Sequence, residues 1–131
     1  MRLSARILRF GLAGIAGFVV DAGVVTMMTA LGLDPRPARL FSFLLAIVTT
    51  WLINRRHAFG DRVGSPSLAE FLRYASASSL AALINLGVFM GLVSAHTYFA
   101  AQPILAVAIA TACSMSLNYW SYLKLVFSGR R

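Results

Sequence analysis

The sequence has 131 residues, of which 59% are hydrophobic and 12% charged, with a formal net charge of +8 at pH 7. An ordinary soluble domain has roughly 25% charged residues, so this composition excludes one. The cations cluster beside long apolar runs and do not follow one exposed face. The positive charge therefore indicates membrane orientation, and we expect no nucleic-acid partner.

Four apolar stretches approach the length of a transmembrane helix, which is roughly 20 residues. The first stretch follows Arg2, Arg6 and Arg9 and so imitates a signal peptide. Its apolar run is too long for a signal core, and we predict a retained span. The predicted spans are residues 10–31, 38–53, 74–93 and 103–123. The chain over residues 1–131 is thus predicted to be one all-α polytopic membrane domain.

Polar segments separate the predicted spans. The segment 32–37 contains two prolines, which lack the N–H donor, so the first helix is expected to end there. Residues 54–72 form the longest polar segment, in which Ser67 and Glu70 match a capping box at a helix start. Residues 94–102 are predicted to form a short turn before the last span.

The distribution of cations predicts the orientation. Only Arg36 and Arg39 lie at the first turn, and the turn 94–102 has no cation. The others flank the opposite ends of the spans: Arg2, Arg6, Arg9, Arg55, Arg56, Arg62, Arg73, Lys124, Arg130 and Arg131. Because cations concentrate on the cytoplasmic side, both termini and the middle loop are predicted to be cytoplasmic.

The two halves of the sequence match at two register shifts. A shift of 64 residues places Asp21 on Asn85, and a shift of 68 places Phe59 on Phe127. Each half contains two spans, so both halves enter the membrane from the same side. The four helices are therefore predicted to form two parallel two-helix repeats.

Asp21 is an acidic residue about 16 Å deep in the first predicted span, at 1.5 Å per residue. A charge at the centre of a span costs on the order of 2.5–3.5 kcal/mol, so Asp21 is expected to face the bundle interior. It is either a proton or head-group site, or a structural hydrogen-bonding acid. Asn85 either completes an intramembrane polar site with Asp21 or holds the helices together.

Cations follow spans 2 and 4 at the predicted cytoplasmic interface, namely Arg55, Arg56 and Lys124. Guanidinium groups bind phosphate bidentately, so a lipid phosphate would suit this place. The alternative is that these cations are topology signals and snorkelling anchors. Asn54 and Asn118 beside them either cap helix ends or join the lipid-phosphate site.

The other marked residues have structural interpretations. Aromatic residues at the same interface are typical of an aromatic belt: Trp51, Tyr119, Trp120 and Tyr122. Small residues predict close helix packing: Gly11, Gly14, Gly17, Ala108, Ala112 and Ser116. The single Cys113 implies no disulfide framework. No nucleophile triad, nucleotide loop or metal cluster occurs, so we expect no enzyme activity, no cofactor and no metal.

Several motifs together resemble the GtrA-like family. They are Arg9-Phe10-Gly11, Asp21, Asn54-Arg55-Arg56-His57-Ala58-Phe59, Arg73-Tyr74, Asn85, Asn118 and Lys124-Leu125-Val126-Phe127. The resemblance extends from about Leu8 to Phe127, nearly the whole chain.

The resemblance implies a multi-pass protein of the bacterial inner membrane that serves cell-surface polysaccharide synthesis. Such a protein would move a polyprenyl-phosphate-linked sugar, or the polyprenyl phosphate carrier, across the membrane. Its candidate residues would be Asp21, Asn54, Arg55, Arg56, Asn118 and Lys124. Four short helices enclose little volume, so we expect a homodimer among membrane lipids.

Two other functions remain open from the sequence. One is a non-transporting anchor that recruits a glycosyltransferase partner. The other is a proton-coupled exporter similar to the small multidrug resistance family, which also has four spans and an acid in the first.

Overall fold

A computed structural model describes residues 2–128, without the side chains of residues 35, 36, 103 and 104. The predicted cytoplasmic cations Arg130 and Arg131 lie outside the described residues. The described part is helical: α1 (Leu3–Ala30), α2 (Pro35–Ile53), a first π turn (Asn54–Ala58), a 3₁₀ turn (Gly60–Arg62), α3 (Leu68–Ala95), α4 (Thr97–Ala101), α5 (Pro103–Ser121) and a second π turn (Tyr122–Val126). It contains no strand, which confirms the all-α prediction.

Among the described residues, three helical segments are long and apolar enough to cross a membrane: Leu3–Ala30, Pro37–Ala58 and Leu68–Ala95. They cover the first three predicted spans, and the chain is a multi-pass membrane protein. The fourth predicted span falls on α5. The count of four spans stays a prediction.

The break between α1 and α2 lies where the prolines and glycine place it. Gly32 adopts a left-handed φ of 85°, a conformation that glycine takes without steric cost. Its N–H donates to the Thr29 carbonyl, and that of Leu33 donates to the Met28 carbonyl. These are the two bonds of a Schellman motif, which satisfies the last carbonyls of α1. Pro35 then occupies the first position of α2, where no N–H donor is needed.

Helix α3 begins earlier than the predicted span at residue 74. Ser67 accepts a hydrogen bond from the Glu70 N–H at 3.1 Å, so the Ser67 half of the predicted capping box is present. The Glu70 carboxylate instead accepts hydrogen bonds from Trp51 and Arg55. The predicted turn 94–102 is shorter than expected, because α3 continues to Ala95 and α4 follows with His96 as its N-cap.

The chain divides into two compact units, one ending at Phe71 and the other covering Leu72–Ser128. In the first unit, α1 packs against α2. Gly17 lies at a close contact between them, since an added Cβ would overlap the Thr50 methyl group. An added Cβ at Gly11 or Gly14 would meet no atom within 4 Å. Of the three glycines predicted to give a packing face, only Gly17 lies at this contact.

We expect Gly17→Val to destabilise the first unit, because the added atoms would push α2 away from α1. Overpacking of this kind costs about 1–3 kcal/mol. The measurement is the apparent melting temperature of the detergent-solubilised protein. Gly14→Val is the matched control on the same helix, and a similar loss for both variants would contradict the packing role of Gly17.

In the second unit, α3 packs against α5 and the second π turn. Tyr74 stacks on Tyr122 with ring centroids 4.1 Å apart, and the Tyr122 hydroxyl hydrogen-bonds the Ser78 hydroxyl. Phe127 closes the same cluster and is 1% exposed. The predicted small face of α5 lies elsewhere, because its residues 108, 112 and 116 are exposed. The small residues that α5 buries are Ala106, Ala110 and Ser114.

Buried positions recur at the two register shifts seen in the sequence. At a shift of 64 residues, α1 matches α3: Arg6 with Glu70, Phe10 with Tyr74 and Gly17 with Ala81. At a shift of 68, α2 and its π turn match α5 and its π turn: Ala38 with Ala106, Ser42 with Ala110, Ala46 with Ser114, Asn54 with Tyr122, Ala58 with Val126 and Phe59 with Phe127. Each half therefore buries corresponding positions and ends in the same unusual turn.

Candidate functional site

The first π turn forms the end of the second membrane helix. Its closing bond runs from the Phe59 N–H to the Asn54 carbonyl at 2.8 Å, across five residues. Such a turn widens the helix by one residue and occurs often at functional sites. Here it buries Asn54, Ala58 and Phe59 and leaves Arg56 exposed. The cation is thus presented at the helix end by a turn whose first and last residues, Asn54 and Ala58, are buried.

The second π turn has the same construction. The Phe127 N–H donates to the Tyr122 carbonyl at 2.7 Å, and Tyr122, Val126 and Phe127 are buried. Lys124 is exposed and lies over the Trp120 ring, 5.5 Å from the ring centroid. Such a cation–π contact orients an ammonium group without neutralising its charge.

Arg55 has a different environment from its neighbour Arg56. Its Nε donates to Glu70 Oε1 at 2.8 Å, and its Nη2 donates to the Gly64 carbonyl. The Trp51 indole N–H donates to the same carboxylate oxygen at 2.9 Å. The Arg55 and Glu70 side chains are only 12% and 9% exposed. This buried cluster fixes the start of α3 and the middle loop to the end of α2.

The middle loop is also held by the N-terminal turns of α1. Arg6, whose side chain is 9% exposed, forms an ion pair with Asp61. Arg9 donates from Nη1 to the His57 carbonyl at 3.2 Å. Two cations of the predicted cytoplasmic cluster therefore attach the loop to α1, in addition to any effect on orientation.

An open apolar groove of about 390 Å³ lies in the first unit, where α2 and the start of α3 meet. Its walls include Trp51 and Phe71, whose rings contact edge to face with centroids 5.2 Å apart. The lining residues are Val48, Trp51, Pro66, Ser67, Leu68 and Phe71. Because the Trp51 indole is bonded to Glu70, this wall is held in one orientation. Trp51 therefore has a defined hydrogen-bond partner and a defined place in the groove wall, in addition to the interfacial position expected for an aromatic belt.

Asp21 is paired inside the first unit. Arg39 donates from Nη1 to Asp21 Oδ2 at 2.6 Å, and Ser42 donates from Oγ to Asp21 Oδ1 at 2.7 Å. The Asp21 side chain is 15% exposed, whereas that of Arg39 is 60% exposed. Arg39 lies within α2, not in the turn, and it balances the charge of the intramembrane acid.

The corresponding position of the second unit is neutral. Asn85 donates from Nδ2 to Ser114 Oγ at 3.1 Å, which joins α3 to α5. Asn118 is half-buried, and its Oδ1 accepts no hydrogen bond from the described part of the chain. Asp21 and Asn85 thus each have a serine partner within their own unit.

The predicted lipid-phosphate residues fall into two groups. Arg56 and Lys124 are exposed cations on the two π turns, whereas Arg55, Asn54 and Asn118 are wholly or partly buried. The sequence missed Glu70 and Arg39 as the partners of Arg55 and Asp21. No group of three or more metal-binding side chains occurs in the described residues 2–128.

A family model for the transmembrane domain of GtrA/DPMS proteins matches residues 9–127. No curated protein matches the chain. The matched range includes both π turns, the Asp21 pair and the Asn85 pair, and it leaves out only short segments at the two ends. The chain belongs to the GtrA/DPMS transmembrane-domain family.

Proposed function

We propose that the protein captures the phosphate of a polyprenyl-phosphate lipid, free or sugar-linked, and moves it across the bacterial inner membrane. Family membership supports a role in polysaccharide synthesis from lipid-linked sugars. The observation that carries the proposal is the pair of exposed cations, Arg56 and Lys124, at matching positions of two π turns. The protein contributes binding and passage and performs no covalent chemistry.

The proposed architecture is four spans in two parallel repeats with both termini in the cytoplasm. The recurrence of buried positions at shifts of 64 and 68 residues supports the repeat. The cation distribution supports this orientation, in which each π turn would face the cytoplasm. Arg56 and Lys124 then lie where a polyprenyl phosphate presents its charge after synthesis in the cytoplasm.

The groove beside Trp51 and Phe71 supplies a place for the lipid chain. It is mostly apolar and open, and it lies at the same end of α2 as Arg56. The first isoprene units would contact its aromatic wall while the phosphate reaches the exposed guanidinium. Arg55 would contribute indirectly, because its pairing with Glu70 holds the helix ends that form the groove.

We expect Arg56→Ala/Lys124→Ala to weaken polyprenyl-phosphate binding at least tenfold, since charge-assisted hydrogen bonds to phosphate are among the stronger contacts in proteins. The measurement is native mass spectrometry of the solubilised protein titrated with polyprenyl phosphate. Arg62→Ala/Arg73→Ala removes the same charge from two other exposed positions and should bind like the wild type. The unphosphorylated polyprenol tests whether the chain alone is sufficient.

Equal adducts in the two double variants would exclude a specific phosphate site. Absence of an adduct in every protein would instead favour the anchor that recruits a glycosyltransferase. The same spectra report whether the protein is the homodimer that we propose. A proton-coupled exporter is less well supported, because Arg39 and Ser42 occupy the carboxylate that such an exporter would need free.

A further inference from the structure

The Asp21–Arg39 pair lies far from Arg56 in the first unit, because Arg39 precedes Arg56 by 17 residues of α2 and its π turn, which is roughly 25 Å along the helix axis. Asp21 precedes the end of α1 by nine residues, which is about 14 Å along the helix axis. Half the hydrocarbon thickness of a bilayer is roughly 15 Å. If the tip of the α1–α2 hairpin lies at the non-cytoplasmic membrane surface, the Asp21 carboxylate is therefore near the membrane centre.

The pair is unequally covered. Asp21 is mostly buried and has a partner on each oxygen, whereas Arg39 is 60% exposed. A guanidinium has five N–H donors, and within the described part of the chain Arg39 donates a hydrogen bond only from Nη1. The Arg39 charge is therefore paired with Asp21, whereas its remaining N–H groups donate to no other described residue.

Replacing a buried ion pair by well-packed apolar residues is often neutral or stabilising, so packing alone is a weak reason for a charged pair. Charged groups inside a membrane more often mark the path of a polar substrate. Asn85 and Ser114 join α3 and α5 in the second unit through neutral groups alone. A charged pair is thus not required to join two such helices, and the charge on Arg39 calls for another explanation.

We propose that Arg39 is the cation that carries the lipid phosphate through the membrane interior, by exchanging its Asp21 partner for the phosphate. This proposal rests on the function proposed above and names the residue that binds the phosphate while the lipid crosses the membrane. A phosphate entering at Arg39 replaces one anion by another, so the guanidinium is never left without a counter-charge. Ser42 keeps its hydrogen bond to Asp21 during the exchange and limits the cost of releasing the carboxylate.

The test is transport of a fluorescent short-chain polyprenyl phosphate in proteoliposomes, read by quenching of the label on the outer surface. Arg39→Gln is expected to slow transport at least tenfold. Asp21→Asn/Arg39→Gln, which removes both charges and leaves none unpaired, is expected to be equally slow. Arg39→Lys keeps the pair and the cation and is expected to transport faster than Arg39→Gln.

A structural role for the pair makes the opposite prediction, namely that the neutral double variant regains transport within twofold of the wild type. That result would overturn the proposal, as would normal transport by Arg39→Gln. Polyprenyl-phosphate adducts, measured in the same variants, should persist and should weaken less than in Arg56→Ala/Lys124→Ala, because Arg56 and Lys124 are intact. If the wild-type protein shows neither adduct nor transport, the proposed function itself is refuted. That result differs from failure of the Arg39 proposal alone, in which the wild type still binds and transports the lipid.

Discussion

Replacement of Glu70 by alanine is expected to be among the most destabilising single changes in the first unit. The carboxylate accepts bonds from Arg55 and Trp51, and both members of the ion pair are almost fully covered. Glu70→Ala would leave the Arg55 charge buried without its counter-ion. Removing one partner of a buried ion pair typically costs about 3–5 kcal/mol.

The measurement is the apparent melting temperature in detergent, with tryptophan fluorescence as a second probe because Trp51 loses its acceptor. Arg55→Met/Glu70→Leu removes both charges and should be markedly more stable than Glu70→Ala. Leu68→Ala, at a position 72% exposed on the same helix turn, is the control. If Glu70→Ala and Leu68→Ala have the same apparent melting temperature, the Glu70 carboxylate does not stabilise this region.

Features of the fold that depend on local sequence were predictable. Long apolar runs identified three membrane helices, because hydropathy is a property of a single window. The glycine and prolines of segment 32–37 located the hairpin turn. The capping signal at Ser67 marked the start of α3 better than hydropathy did, since the charge of Arg73 made the apolar span seem to begin at residue 74.

The ion pairs were not predictable in the same way. Arg55 and Glu70 are 15 residues apart, and their contact depends on the path of the middle loop. Asp21 and Ser42 had a weak signal, because they lie about equally far from the turn at Leu31 and Gly32 and so face each other in an antiparallel hairpin. Arg39 was assigned to the turn because charges are read as span boundaries, although it belongs to α2.

The π turns have no sequence signature, since a single i→i+5 bond depends on which residues pack below it. The shift of 68 residues nevertheless aligned Phe59 with Phe127, and these residues close the two π turns. Sequence similarity between the halves therefore indicates where the two π turns lie, although it does not predict their backbone geometry. It did not separate the exposed Arg56 from the buried Arg55, because exposure is set by the turn.

Truncation of Tyr122 to alanine is the second change expected to have a large effect, this time in the second unit. The side chain is 3% exposed, stacks on Tyr74 and hydrogen-bonds Ser78. Loss of a buried aromatic ring costs about 3–5 kcal/mol, and we expect the lower part of this range at a membrane boundary. The second π turn would lose the buried side chain of the residue whose backbone carbonyl accepts its closing bond.

Two control variants separate the possible causes. Tyr122→Phe keeps the stacking and removes only the hydroxyl, so its loss should be about 1 kcal/mol. Trp120→Ala removes a larger ring that is 61% exposed and should leave the melting temperature nearly unchanged. Because Trp120 also orients Lys124, that variant should weaken polyprenyl-phosphate adducts while the fold persists. If Trp120→Ala lowers the melting temperature as much as Tyr122→Ala, Trp120 also stabilises the fold, and its role is not limited to orienting Lys124.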